Sequence, residues 1–391
     1  RPAERQNDFG AILGGPVFLP RFGEGGPRLS YNGKNQTFFF FSYEGLRLRQ
    51  PQTAVTQVPS LIARTTAPPN IQPYLSAYPI PNGPTLANGF SVFAASYSDP
   101  STLNATSIRV DHIFGSKVIL FGRYNYAPSE SVQRGVTRSL NTLTASRYKT
   151  ITATLGTTFL FNPKITDEFR ANYSRNHGEV LNLMDNFGGG VPPSRSILFP
   201  SFVPADRAFV FVLLGGTSAG FGIGKVADGI QRQINVLNTL AVISGRHELK
   251  FGIDYRRLTP LFNPSAYSLT GAFNGVSGAL SGKALIAGTV AFPTSTIPVF
   301  LDLSLFAQDT WRPQSGLAIT YGVRWESNKP PAEMNGNDPY GVTGFDQPST
   351  LALVPRGTPL YQTTYNNFAP RIGVSYQLSQ KQGLETVVRG G

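Results

Sequence analysis

The sequence predicts an all-β chain, a transmembrane antiparallel up-and-down barrel with long loops on one rim and short turns on the other. Three observations predict it: connections that alternate in length, strands with one apolar and one polar face, and the lack of any segment fit to be a membrane helix. Short turns read at Gly115–Lys117, Asn162–Lys164, Ser244–Arg246, Pro313–Gly316 and about Ser379–Gly383. Long irregular stretches read at 51–103, 128–146, 178–229, 258–299 and 327–366. A soluble sandwich has no reason to lengthen every second connection. A barrel of the outer-membrane type does, because its short turns face the periplasm and its long loops face outside.

Composition agrees. The 391 residues suffice for one barrel or a large part of one. Gly 41 and Pro 31 argue for many turns and against helical bundles. A hydrophobic content of 40% is low for a helical membrane protein but suits strands that show lipid only alternate residues. The best helical candidate, Ala284–Leu301, lacks charge but carries Pro293 and Pro298, so it is rejected. The N-terminus has no Met, no basic segment and no signal-peptide core. Either a mature protein begins here or this is an internal piece of a longer chain, which Arg389-Gly390-Gly391 stopping inside a strand pattern favours. Cys is 0, so disulfides, thiolate metal sites and a cysteine nucleophile are excluded. The net charge of +12 reads as solvated loop and lumen charge, with attraction to anionic headgroups or solutes as the alternative. Basic residues are scattered and form no single stripe, which argues against nucleic acid.

About twelve strands are expected: 8–18, 37–49, 104–114, 118–127, 147–161, 165–177, 230–243, 247–257, 300–312, 317–326, 367–378 and 384–391. The connection 19–36 breaks the pattern. It should be a short turn, yet it is long and rich in glycine (Gly23, Gly25, Gly26, Gly33), as an insertion would be. Within 165–175, Phe169, Ala171 and Tyr173 oppose Glu168, Arg170, Asn172 and Ser174. In 247–257, Leu249, Phe251, Ile253 and Tyr255 oppose Glu248, Lys250, Gly252, Asp254 and Arg256. In 300–312, Leu301, Leu303, Leu305, Ala307 and Trp311 share a face that Asp309 interrupts near the turn. In 317–326, Leu317, Ile319, Tyr321, Val323 and Trp325 oppose Ala318, Thr320, Gly322, Arg324 and Glu326. In 368–378, Ile372, Val374, Tyr376 and Leu378 oppose Arg371, Gly373, Ser375 and Gln377. This is the period of two of a half-buried strand.

The polar faces could look into water in a sandwich or into a polar lumen in a barrel. In a lumen, Arg324, Glu326, Arg371, Glu168, Arg170, Lys250 and Asp254 are the candidate lining charges, most simply satisfied by pairing across strands. On the apolar faces, Trp311, Trp325, Tyr255 and Tyr173 are candidate members of aromatic girdles. Strand rise and tilt put the two tryptophans about 20 Å apart along the axis. Two sandwich-core tryptophans are the alternative.

The stretches Asn7-Asp8-Phe9-Gly10, Gly14-Gly15-Pro16-Val17 and Lys34–Gly45 (KNQTFFFFSYEG) resemble the start of the barrel in Oar-like TonB-dependent outer-membrane receptors. These are large receptors with a carboxypeptidase-regulatory-like N-terminal domain. His247–Gly252, Phe306–Arg312, Tyr321–Glu326 and Ala369–Gly373 resemble further strands of that family, so the resemblance runs over nearly the whole chain. It implies a barrel of about 22 strands around a plug, embedded in outer-membrane lipid and coupled to an inner-membrane TonB-type energy complex. The sequence departs from a complete member: it has no coupling segment, no plug and no final strand ending in an aromatic residue. Residues 1–391 would then be the N-terminal part of the barrel domain, with free strand edges prone to aggregation.

Other motifs carry less. Gly220-Phe221-Gly222-Ile223-Gly224-Lys225 approaches a phosphate loop, but Val226 stands where Ser or Thr is required. His112, His177 and His247 are far apart and lack carboxylates at ligand spacing. Glu333, Asn335, Asn337 and Asp338 are rich in oxygen and could hold Ca²⁺, but the EF-hand spacing is absent and a solvated loop is the simpler reading. No G-x-S-x-G elbow is present, and no cofactor or enzymatic activity is expected. Tyr74, Tyr78, Tyr97, Tyr267, Tyr340, Tyr361 and Tyr365 could contact a ligand or pack loops together, with Tyr267, Tyr340 and Tyr361 taken as the candidate contacts. The proline-rich segment 51–84 is expected to be an extended loop without regular structure. The leading functional expectation is energy-coupled uptake of a large or scarce solute. A passive porin and an adhesive or structural surface β-protein are the alternatives. The solute is open among iron chelates, vitamins, oligosaccharides and peptides.

Overall fold

The computed structural model describes residues 4–20, 29–215, 219–291, 293–379, 381 and 383–391. Twelve strands run as one antiparallel meander: β1 Arg5–Pro16, β2 Thr37–Pro59, β3 Phe90–Phe114, β4 Val118–Arg134, β5 Thr142–Asn162, β6 Ile165–Met184, β7 Ala219–Ser244, β8 His247–Phe262, β9 Pro298–Gln314, β10 Leu317–Asn328, β11 Asn367–Ser379 and β12 Thr386–Gly390. Each overlaps one expected strand, in the expected order. Among the described residues, β1 and β12 each pair on one side only. None of the helices is long and apolar enough to cross a membrane.

The register fixes two continuous faces. Ile108, Tyr124, Ala153, Tyr173 and Ile234 stand side by side across β3 to β7, while Arg109, Arg123, Thr154 and Asn172 share the other face. The apolar face is well exposed, with Leu155 at 50% and Phe251 at 44%, as a surface solvated by lipid must be.

Most strands are longer than expected, chiefly at the loop end, whereas β12 is shorter than the expected 384–391. Residues 51–59 and 90–103 were expected to be irregular but form a ladder from Pro51↔Ser98 to Pro59↔Phe90. Beyond the lipid the outward face no longer needs apolar side chains, so the period-two pattern fades while backbone pairing continues. The same reasoning lengthens β4 to β8 into 128–134, 142–146, 178–184, 219–229 and 258–262. The proline-rich segment is likewise ordered. After β2 it forms α1 Leu61–Thr66, where the Ser60 side chain accepts from the Ala63 amide, and α2 Gln72–Ser76, entered through Pro73. The connection between β1 and β2 holds a small hairpin, Phe18–Pro20 against Leu29–Asn32. Gly33 belongs to its base, where a Cβ would sit 2.6 Å from the Val17 carbonyl. Gly23, Gly25 and Gly26 lie outside the described residues, as do Gln380 and Gln382 of the last predicted turn.

The apolar core lies in the loops. Val58, Leu75, Tyr78, Phe90, Phe93, Leu140, Leu198, Val210, Leu214, Phe221 and Val276 pack into one cluster. A barrel wall has lipid on one side and polar groups on the other, so a dry core forms only where loops fold over one another.

A loop cap above a charged wall

The cap is built outward from β7. At Gly224 the strand changes partners: Gly224↔Asn182 pairs it with β6, and Ala219–Gly224 pairs with the loop strand Ala208–Leu214. Gly224 has φ +107° and a Cβ there would lie 1.9 Å from the Ala208 carbonyl, so only glycine fits. Gly220 and Gly222 are also packing positions, tight against Leu213 and Asn182. The glycines that imitate a phosphate loop thus serve close strand packing. Ala208–Leu214 pairs in parallel with Tyr267–Phe273, which pairs with Ala284–Ala291. This small sheet and α1 and α2 close over one another.

Two arginines lock the cap. Arg64 donates to the carbonyls of Pro59 (3.1 Å), Tyr78 (2.9 Å) and Pro79 (2.5 Å). Burial pushes its pKa down to about 10, so it stays charged at neutral pH. Arg134 forms a forked pair with Asp185 (2.9 and 2.6 Å) and lies 4.3 Å over the Phe187 ring. Burial pushes the Asp185 carboxyl up, but the hydrogen bonds from Arg134 and the Phe187 amide hold it, on balance, below its ordinary value. Neither arginine stood out in the sequence, because each serves partners distant in the chain.

Inside the cap is a cavity of about 390 Å³, lined by Ile71, Tyr74, Leu75, Tyr78, Leu214 and Phe273 among others. Its walls are mostly apolar, with Asn70, Tyr74 and Tyr78 as the lining residues that carry polar side-chain groups. Tyr78 is fully buried, and its hydroxyl has no hydrogen-bond partner. Burial raises its pKa, so it stays a neutral phenol.

The predicted lining charges share the polar face of the wall. Arg324 lies 3.6 Å from Asp254 and donates to Glu326 (2.5 Å) and Ser304 (2.8 Å). Asp254 also accepts from Asn235 at 2.7 Å. These groups line a recess of about 230 Å³ with Arg256, Asp302 and Asn328. Other charges pair along a strand instead: Glu168 with Arg170 at 3.6 Å, and Lys250 with Glu248 at 2.9 Å. Arg371 has no ion-pair partner among the described residues. Trp311, Trp325, Tyr255 and Tyr173 share the opposite, apolar face. The register separates the tryptophan levels by six residues (Ile319 to Trp325). That is about 20 Å along the strand and roughly 15 Å along an axis tilted by about 40°, less than the sequence suggested. Trp311 stacks on His247 at 6.0 Å. Asp309, which interrupted the apolar pattern, accepts from His247 (2.6 Å) and Tyr321 (2.8 Å).

The loop tyrosines divide. Tyr267 packs against the cap core with Tyr74 and Tyr97. Tyr340 stays 57% exposed beneath Arg356, and Tyr361 donates to the Lys329 carbonyl at 3.0 Å. Tyr365 is exposed, and its carbonyl accepts from the Trp325 indole at 2.8 Å. In the oxygen-rich loop, the Glu333 carboxylate receives the amides of Ile297 (2.7 Å), Asn335 (2.7 Å) and Asn337 (2.8 Å), and Asp338 receives that of Glu333 (3.0 Å). The carboxylates order the loop rather than being merely solvated. No group of three or more potential metal ligands occurs among the described residues.

A family model described as an outer membrane beta barrel domain matches residues 1–67 and 61–391. No curated protein matches the sequence. Among solved structures, the outer membrane transporter YddB from Escherichia coli aligns over 95% of this chain and 36% of its own, at 8% identity and TM-score 0.53. The alcaligin outer membrane receptor FauA from Bordetella pertussis aligns over 97% and 42%, at 12% identity and TM-score 0.42. The ferric-catecholate import receptor Fiu from E. coli in its closed form aligns over 96% and 48%, at 11% identity and TM-score 0.42. The chain therefore spans from about a third to a half of the length of these structures.

Proposed function

The chain belongs to the outer membrane β-barrel domain family, and on that premise we propose that it is part of a TonB-dependent receptor for energy-coupled uptake of a scarce solute. The protein resides in the outer membrane. The observation that carries the proposal is the cap: a packed apolar core of loops, with a partly open pocket of about 390 Å³, set over a polar, charged wall. A passive pore works best with an open mouth, whereas a capture device needs an ordered outer surface with room for a ligand. The cavity takes the apolar part of the solute, and the charged wall accompanies its passage. The chain covers 36% of the YddB fold, so we take the twelve strands as part of a larger barrel. The inner-membrane energy complex is the partner, and catalysis has no part in the process.

The test compares solutes depleted from the medium by cells with and without the gene, in energy-complex-positive and energy-complex-negative backgrounds, by mass spectrometry. The proposal expects one solute whose depletion needs both, and a marked loss of it when Ala287→Trp fills the cavity. Depletion that ignores the energy complex would instead identify a passive channel. Depletion of nothing would favour a surface role.

A further inference from the structure

The outward, apolar face ends in cations on four successive strands. Moving toward the loops, β5 shows Leu155, Ala153, Ile151 and then Lys149. β6 shows Phe169, Ala171, Tyr173 and then Arg175. β7 shows Val236, Ile234 and then Arg232, and β8 shows Phe251, Ile253, Tyr255 and then Arg257. Arg175 and Arg232 are directly opposed across the ladder. Arg257 pairs with Ile234 and is thus diagonal to Arg232, and Lys149 pairs with His177 and is diagonal to Arg175.

Like charges directly opposite destabilise a sheet unless something neutralises them. The nearby carboxylates are already engaged: Glu130 with Arg147 (2.7 Å), Glu179 with Lys225 (3.2 Å) and Asp228 with His177 (2.9 Å). Among the described residues none of the four cations forms an ion pair. They stand where the apolar band gives way to the loop side. Beside Lys149 a recess of about 350 Å³ opens between Thr102, Asn104, Glu130, Arg147, His177 and Glu179, whose carboxylates pair with Arg147 and Lys225.

We propose that Lys149, Arg175, Arg232 and Arg257 form a binding site for a phosphorylated lipid headgroup of the outer leaflet. Arginine forks match phosphate oxygens in a way that a diffuse counterion atmosphere does not. Basic side chains at the membrane surface attract anionic headgroups. The recess receives the hydroxylated part of the headgroup next to the phosphate. This site faces lipid, on the opposite face of the sheet from the charged wall.

The test uses the protein purified in detergent and two probes, lipopolysaccharide and the same glycolipid with its phosphates removed. Binding is followed by native mass spectrometry. The phosphorylated form should bind at least about tenfold more tightly. The double variant Arg175→Gln/Arg232→Gln should lose that preference. Arg123→Gln/Arg371→Gln, with the same charge change on the polar face, should keep it. Heat-modifiable gel mobility verifies that both variants are folded, and the two-probe comparison on the unaltered protein needs no variant. Equal binding of the two probes, an equal loss in the polar-face variant, or displacement by inorganic phosphate at matching affinity would each overturn the assignment.

Discussion

Gly224 and Glu333 show how single residues set the shape of the loop side. Gly224 lets β7 exchange β6 for a cap strand within one peptide, at a φ of +107° and with no room for a Cβ. Gly224→Ala is expected to cost about 1–3 kcal/mol through backbone strain. Limited proteolysis of the folded protein should then cut faster within 185–215, while the short turns keep their resistance. Glu333 holds three loop amides, and the bond from Ile297, followed by those from Asn337 and Asn335, depresses its pKa below its ordinary value. A depressed carboxyl stabilises the fold above the unfolded pKa, near 4.5, and the stabilisation is lost as pH falls through the lower folded value. Hydrogen-exchange protection of the Asn335 and Asn337 amides, corrected for intrinsic rates, should hold down to about that pH and fall below it. Glu333→Gln should weaken that protection at neutral pH and remove its dependence on pH. Glu333 was visible in the sequence as one of an oxygen-rich group. Its amide partners were not, because Ile297 arrives from another loop.

At the scale of the element, each strand is two surfaces with different solvents. The two faces were legible wherever the sequence keeps a period of two, as in Leu317–Glu326. They were illegible beyond the membrane, where Pro51–Pro59 and Phe90–Leu103 still pair but no lipid selects their side chains. Asp309 shows the intermediate case. It looked like a break in the pattern, and the explanation lay on neighbouring strands in His247 and Tyr321. The two faces of β10 should respond unequally to one change. Val323→Arg places a charge in lipid and should destabilise by about 2–4 kcal/mol if it lies near mid-bilayer. Thr320→Arg, on the polar face, should cost much less. Urea unfolding in phospholipid vesicles measures both, and equal costs would mean that the faces have been exchanged.

At the scale of the whole molecule, the sequence placed twelve strands in the right order, and it located the long connections. It did not reveal that those connections fold into one core, because Tyr78, Phe221, Leu140 and Val276 come from four separate loop or strand-end segments with no shared periodicity. Such a cap confers an orientation: packed loops outside the cell, short turns in the periplasm. The chain offers a direct way to measure it, since it contains 0 cysteines and any cysteine introduced is unique. Val136→Cys and Phe345→Cys lie on exposed loop positions, and Ser116→Cys and Lys164→Cys on exposed short turns. With a membrane-impermeant maleimide on intact cells, the loop positions should label at once and the turn positions only after the outer membrane is permeabilised. Labelling of the turns in intact cells, with protection of the loops, would contradict the account.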